Sequence, residues 1–179
     1  MKVSSVLAGL LLSLTAGSAL AQDAAPAQVP AQVKALAGCW SGTGEVMGKP
    51  VTMVLSAKPI ALGAMFLVEA ESHAKADPTD RYAAHLVFGG RAAKKDAPDT
   101  LSGFWIDSFG GDYTATGVGA PRKDGFDIAY AYPDASFINR WTSSGGGLDW
   151  TIVAKSGSAP EEAFARYVLT RAKCSKAGG

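Results

Sequence analysis

Three side chains that could bind a metal ion stand at alternate positions near the middle of the chain. Glu69, Glu71 and His73 form the pattern Glu-x-Glu-x-His, and carboxylate with imidazole is a common ligand set for divalent cations. In a strand the three residues share one face, but alternate positions lie about 7 Å apart, so chelation would need help from a neighbouring strand. A solvated outer face explains the same pattern, and we expect no metal site.

His85 and Asp107 are the residues that could transfer a proton inside a folded domain. His85 stands between Ala84 and Leu86 in an otherwise apolar run, where a hydrogen-bonded structural histidine is the alternative to a general base. Asp107 precedes a glycine turn and could equally cap that turn. No Gly-x-Ser-x-Gly motif surrounds Ser108, so a serine hydrolase is not indicated. The sequence therefore predicts no catalytic residue.

Apolar side chains at strand positions are the candidates for binding a small molecule. In a wide barrel the inward side chains line a space for an apolar ligand, whereas in a narrower one they fill the core. Arg140 would bind a ligand carboxylate only if it pointed inward, and we expect it outside because it is out of phase with Trp141. The candidate lining residues are Met53, Phe66, Leu86, Trp105, Tyr130, Trp141, Trp150 and Tyr167.

Short strands are the elements that would position these side chains. From Trp40 onward, apolar and polar residues alternate in runs that turn residues such as Asp124-Gly125 interrupt about every eight to twelve positions. This pattern is typical of an antiparallel sandwich or barrel. Ten strands are predicted, at 39–47, 50–57, 64–74, 81–89, 100–107, 112–119, 124–132, 135–142, 147–155 and 163–173.

The first 21 residues have the features of a secretory signal peptide. Lys2 precedes an apolar run from Val6 to Leu14, and Ala19-Leu20-Ala21 has the small-x-small pattern of a cleavage site. The apolar run is too short to cross a bilayer as a helix, so we expect a periplasmic or secreted protein with no membrane span. The predicted divisions are a signal peptide at 1–21, a flexible tether at 22–31, a barrel domain at 32–175 that opens with a short helix, and a C-terminal tail at 176–179.

The two cysteines, Cys39 and Cys174, stand at the two ends of the predicted barrel domain. In an oxidising compartment an even pair favours a disulfide. In an up-and-down barrel with an even number of strands, the first strand starts beside the end of the last, which is where these residues fall. The sequence thus predicts a Cys39–Cys174 disulfide and a closed barrel from two independent observations.

Charge balance argues against a nucleic-acid partner. The chain has 17 Lys and Arg against 16 Asp and Glu, with a sequence pI near 7.7, and offers no basic field. Gly42-Thr43-Gly44 does not complete a dinucleotide fingerprint, because Met47 occupies the third glycine position.

The segment Leu36-Ala37-Gly38-Cys39-Trp40 resembles the Gly-x-Trp opening of lipocalin-like (calycin) barrels. With the block Gly103-Phe104-Trp105-Ile106-Asp107-Ser108 it is similar to a bacterial calycin-type family of unassigned function. The resemblance implies that Trp40 closes one barrel end and that Arg171, on the last strand, packs over it. One departure is Phe88-Gly89-Gly90, where such chains often have Gly-x-Asp.

Some calycin-type barrels bind haem through a proximal histidine. Both histidines of this chain fall in the predicted third and fourth strands, and the last third has none, so we expect no haem and no other cofactor.

Three functions are compatible with this reading. The first is an exported binding protein that holds a small hydrophobic or amphipathic ligand in the barrel interior. The second is an isomerase- or hydrolase-like enzyme in the same cavity, with His85 or Asp107 as acid or base. The third is a protein-interaction or inhibitor module of the cell envelope, acting through its loops or the 22–31 tether.

Overall fold

The computed structural model describes residues 28–91 and 100–174; the predicted signal peptide, residues 22–27 of the tether and the 176–179 tail lie outside them. Within the described residues, one α-helix, α1 (Ala31–Lys34), precedes ten strands. These are β1 (Gly38–Val46), β2 (Lys49–Ile60), β3 (Met65–Ala74), β4 (Arg81–Arg91), β5 (Thr100–Asp107), β6 (Ala115–Arg122), β7 (Gly125–Ala131), β8 (Ser136–Ser144), β9 (Gly147–Lys155) and β10 (Glu162–Ala172).

The ten strands form one closed barrel. Each strand pairs antiparallel with the next along the chain, and β1 closes the sheet by pairing with β10, where Trp40 lies opposite Arg171. Closure leaves no strand edge exposed to pair with another chain. The predicted all-β, up-and-down antiparallel barrel with a short N-terminal helix is confirmed.

The barrel has two different ends. At the end where β1 begins and β10 finishes, the segment before β1 covers the interior, and we call it the capped end. The opposite end, which we call the mouth, is formed by the turns at 47–48, 75–80, 108–114, 132–135 and 156–161.

Three side chains before β1 make the cap. Val29, Val33 and Leu36 are buried in the same core as the barrel's inward residues. The chain passes so close to β4 that a Cβ at Gly90 would overlap the carbonyl oxygen of Gln28. Burial of Val29 makes the residues just before α1 part of the folded domain.

Trp40 and Arg171 tie this cap to the barrel. The indole Nε1 of Trp40 donates to the carbonyl of Leu36 at 2.8 Å, and the Arg171 guanidinium lies 3.8 Å from the Trp40 ring centroid. Arg171 also donates to the carbonyls of Ala35 and Ala37. The stacking contact is the one that the calycin resemblance implies, and it stabilises the segment that follows α1.

The predicted disulfide is present. Cys39 at the start of β1 and Cys174 just after β10 are bonded, with their Cα atoms 5.1 Å apart. Because β1 and β10 are neighbours, the disulfide joins two segments that the sheet already holds together.

The strand boundaries differ from the prediction most in β2 and β6. β2 continues through Pro59 to Ile60 instead of stopping at 57. β1 begins at Gly38, opposite Ala57, so no β1 residue lies opposite Pro59 and its missing N–H costs no hydrogen bond on that side. β6 begins at Ala115 instead of 112 because Gly111–Tyr113 form a short 3₁₀ turn.

Across the two described stretches, no helix is long and apolar enough to cross a membrane.

Candidate functional site

All eight predicted lining residues point into the barrel and belong to one buried core. They do so because inward and outward positions alternate along each strand, so that Trp150 faces inward with Leu148 and Ile152. The structure thus brings together side chains from strands β2 to β5 and β7 to β10, and the two halves of the interior differ in how they are filled.

The half beside the cap is packed with aromatic rings. Trp141 stacks on Trp150 with ring centroids 4.2 Å apart, and Phe126 stacks on Trp141 with ring centroids 5.9 Å apart. Phe88 meets Phe126 edge to face at 5.2 Å. Ring-on-ring contact of this kind fills space as a protein core does, and this half forms a floor above the cap.

The half beside the mouth combines three aromatic rings with small side chains. Trp105 lies 5.4 Å from Tyr130, and Tyr167 packs on Trp150 at 4.9 Å. Trp105 is 9% exposed whereas Trp150 is fully buried, so this side of the interior is covered less completely. Much of the wall near the mouth is built of small buried residues: Ser72, Ala74, Ala84, Ala115 and Ala165.

The carboxylate of Asp107 fixes the geometry of the mouth. One oxygen accepts from Trp105 Nε1 at 2.8 Å and from the Tyr82 hydroxyl at 3.1 Å. The other accepts from the backbone N–H of Phe109 at 2.9 Å, which is the turn-capping bond expected from the sequence. Asp107 therefore holds the Trp105 ring and the 108–114 loop in register with one another.

A second polar contact lies deeper in the barrel. Trp150 Nε1 donates to Asn139 Oδ1 at 2.8 Å, and both side chains are buried. Tyr82 and Asn139 are absent from the predicted lining set. A signal for Asn139 existed, because it shares a strand face with Trp141 two residues later.

Two buried hydrogen-bonding groups have no partner among the described residues: the hydroxyl of Tyr130 and Nε1 of Trp141. The Tyr130 ring lies across Gly117 and reaches Gly103, where an added Cβ would come within 2.6 Å of the hydroxyl. Burial raises the pKa of Tyr130 and raises that of Tyr167 to about 12. Since buried polar groups in native proteins are nearly always hydrogen-bonded, these two stand out.

An aromatic collar surrounds part of the mouth. We use this name for Tyr82, Phe109, Tyr113, Tyr132, Phe137 and Phe164. Their rings follow one another with centroid distances between 5.0 and 5.9 Å, except at one step, where the Tyr132 hydroxyl donates to the Tyr113 carbonyl at 2.9 Å. Phe109 and Tyr113 are mainly exposed to solvent, so the collar offers an apolar rim at the entrance.

The Glu-x-Glu-x-His residues lie on the outer face. Glu69 accepts from Lys58 and Ser56, and these hydrogen bonds lower the pKa of its carboxyl group. Glu71 faces Arg81 at 3.5 Å, and His73 is hydrogen-bonded to the hydroxyl of Thr52. In the part of the chain that the structure describes, no three His, Cys, Asp or Glu side chains are placed to hold a metal ion.

His85 is also outside the barrel. Its side chain is 59% exposed and its Nε2 lies 4.0 Å from a carboxylate oxygen of Glu69. Ala84 and Leu86 face inward, so strand alternation turns His85 outward and removes it from the interior as an acid or base. Arg140 is likewise outside, where it pairs with Glu161 at 2.7 Å.

Comparison with known proteins gives a fold relationship. No family model and no curated protein matches the sequence. Among solved structures, the chain is similar to the crystal structure of Rv2717c from M. tuberculosis, with a TM-score of 0.60 at 13% sequence identity. The similarity covers 82% of this chain and 100% of that one. At this identity the likeness shows the fold alone.

Proposed function

We propose that this protein is an exported binding protein for a small hydrophobic or amphipathic molecule. The ligand would occupy the mouth half of the barrel, against Trp105, Tyr130 and Tyr167, with the ring stack of Trp141 and Trp150 as its floor. Of the remaining predicted lining residues, Met53 and Leu86 would complete the apolar wall around this site, whereas Phe66, opposite Phe88 in the sheet, belongs to the packed half beside the cap.

The observation that carries the proposal is the pair of unpartnered polar atoms inside the barrel. Leaving a buried donor without a partner costs about 1–3 kcal/mol, and a fold that serves only as a structural core would gain by placing Phe at position 130. A ligand that hydrogen-bonds the Tyr130 hydroxyl supplies the missing partner.

The mouth supports the same proposal. Asp107 holds Trp105 in one orientation through its indole N–H, which is the kind of pre-organisation that binding sites use. The exposed rings of Phe109 and Tyr113 offer apolar contact to a ligand on its way in.

Export is the setting that best explains the disulfide. Such bonds persist in secreted and periplasmic proteins and are rare in a reducing cytosol. The Cys39–Cys174 bond therefore fits the signal-like features of residues 1–21.

Titration with Nile red, a neutral, flat dye that carries a carbonyl group, tests the proposal. We expect saturable binding of about one dye per chain, with quenching of indole emission. Trp105→Ala should weaken binding through lost contact area. Tyr130→Phe should weaken it about 3- to 10-fold, as expected for one hydrogen bond, while the free energy of unfolding without ligand does not fall.

Thr170→Val is the control, because it removes a hydroxyl from the exposed outer face of β10 and should leave the Kd of the dye unchanged. The proposal fails if the parent protein shows no saturable binding and Trp105→Ala lowers the free energy of unfolding by about 3–5 kcal/mol, the cost of emptying a filled core.

A further inference from the structure

We propose that the interior selects an uncharged ligand that carries a hydrogen-bond acceptor, such as an aryl ketone, and discriminates against a carboxylate of the same shape. This inference rests on the proposed function, because it names the chemical class of the ligand at that same site.

The unpartnered interior groups are mainly donors. The indole Nε1 of Trp141 can only donate, and the Tyr130 hydroxyl can donate as well as accept. The amide nitrogen of Asn139 has a single contact, 3.5 Å from the carbonyl of Phe137, at the outer limit of a hydrogen bond. A ligand oxygen with free lone pairs is the group that these atoms lack.

The interior has no positive charge to neutralise an anion. Among the described residues the buried polar side chains are Ser72 and Asn139, and neither carries a charge. Both histidines lie on the outer face. Arg171, which contacts the barrel interior through Trp40, is exposed and already bound to the cap. A buried carboxylate without a cation is costly.

The groups nearest the entrance either carry a negative charge or are held in their neutral form. Asp107 places a carboxylate at the mouth, within hydrogen-bond distance of Trp105 and Tyr82. Burial followed by the charge of Asp107 raises the pKa of Tyr82, and burial raises that of Tyr167. The environment that opposes a tyrosinate opposes a ligand carboxylate for the same reason.

Three naphthalenes that differ in one substituent separate charge, hydrogen bonding and shape. Acetylnaphthalene has a neutral acceptor, ethylnaphthalene has none, and naphthoic acid is an anion at neutral pH. Their Kd values are measured by displacement of Nile red and by quenching of indole emission. We expect the ketone to bind about 5- to 10-fold more tightly than the hydrocarbon, and the naphthoate to bind at least tenfold more weakly than the ketone.

Two variants assign the preference to residues. Tyr130→Phe and Trp141→Phe should each reduce the advantage of the ketone over the hydrocarbon, whereas Thr170→Val, on the outer face of β10, should leave the advantage unchanged. Naphthoate binding should strengthen as the pH falls through the pKa of the acid.

The inference is overturned if naphthoate binds as tightly as the ketone at neutral pH. It is also overturned if ketone and hydrocarbon bind equally in the parent protein; either result leaves the proposed binding function intact, because all three compounds still enter the barrel. If Nile red and all three naphthalenes fail to bind, the proposed function itself fails and takes the inference with it.

Discussion

The tyrosines of the barrel are the residues whose ionisation the fold opposes most. Burial is the first cause in each case: it raises the pKa of Tyr82, Tyr130, Tyr132 and Tyr167 above the usual value near 10, and that of Tyr167 reaches about 12. In the unfolded chain these groups lose their protons at lower pH than in the folded protein. Stability from this source is therefore complete below about pH 10 and is lost as the pH rises toward the folded pKa.

The first prediction is a steep alkaline loss of stability. Each of the buried tyrosines Tyr130 and Tyr167 contributes a slope of about 1.4 kcal/mol per pH unit between its unfolded and folded pKa values. Denaturant unfolding from about pH 8 to about pH 11 should show a flat region followed by a fall that starts near pH 10. Tyr167→Phe should make the slope of the unfolding free energy against pH shallower by about 1.4 kcal/mol per pH unit, the contribution of one titrating group. Equal slopes in the two proteins would contradict the prediction.

Single residues of the site were predictable where strand alternation was clear and not elsewhere. Trp150 lies between Leu148 and Ile152 on an unambiguous inward face. In β3 both faces are apolar around Phe66, so the sequence did not decide which residues point inward; the structure turns Phe66 and Val68 inside. The contact of Tyr82 with Asp107 joins two strands, and such a pair is invisible until the sheet register is known.

At the scale of elements, the cap is a small structure that depends on a few buried side chains. α1 has only four residues, too few to be stable by its own hydrogen bonds. Leu36 packs into the barrel core and supplies the carbonyl that Trp40 binds. Packing against the barrel therefore holds the cap in place.

The second prediction follows from that dependence. Leu36→Ala should lower the free energy of unfolding by about 2–5 kcal/mol, because it leaves a cavity beneath the cap. Lys34→Ala, at an exposed position of α1, should change it by less than about 0.5 kcal/mol. The Kd of Nile red should stay near the parent value in both variants, since the proposed site lies at the other end; a tenfold weaker Kd in Leu36→Ala would argue for a site beside the cap.

Most strands were predictable because turn residues mark their ends. Asp124-Gly125 separates β6 from β7, and Gly145-Gly146 separates β8 from β9, where both glycines have positive φ. The predicted strand ends are wrong where a residue type is compatible with two structures. Pro59 predicts the end of a strand, yet β2 continues through it because β2 extends beyond the last residue that pairs with β1. Only the register of the sheet shows that Pro59 has no β1 residue opposite it.

At the scale of the whole molecule, both the disulfide and the β1–β10 hydrogen bonds join the start of the barrel to its end. The bond constrains the unfolded chain over almost the whole domain, which in the chain-entropy model favours the folded state by up to about 5 kcal/mol. The native ladder does not need the bond in order to form, because Cys39 already lies opposite Ala172 in the sheet.

The third prediction separates these two closures. The double variant Cys39→Ser/Cys174→Ser should lose about 2–5 kcal/mol of unfolding free energy while keeping a β-type far-ultraviolet circular dichroism spectrum. A thiol reagent should label neither cysteine in the denatured, unreduced parent protein. Quantitative labelling of both thiols would contradict the disulfide.

The described chain enters and leaves the barrel at the same pole. Gln28 lies against Gly90 at the capped end, and Cys174 is bonded to Cys39 there. A linker that continued directly from Gln28 or from Cys174 would therefore start at the pole away from the collar. A sensor chip that holds the barrel by a short linker fused directly before Gln28 would leave the mouth free for the flowing solution.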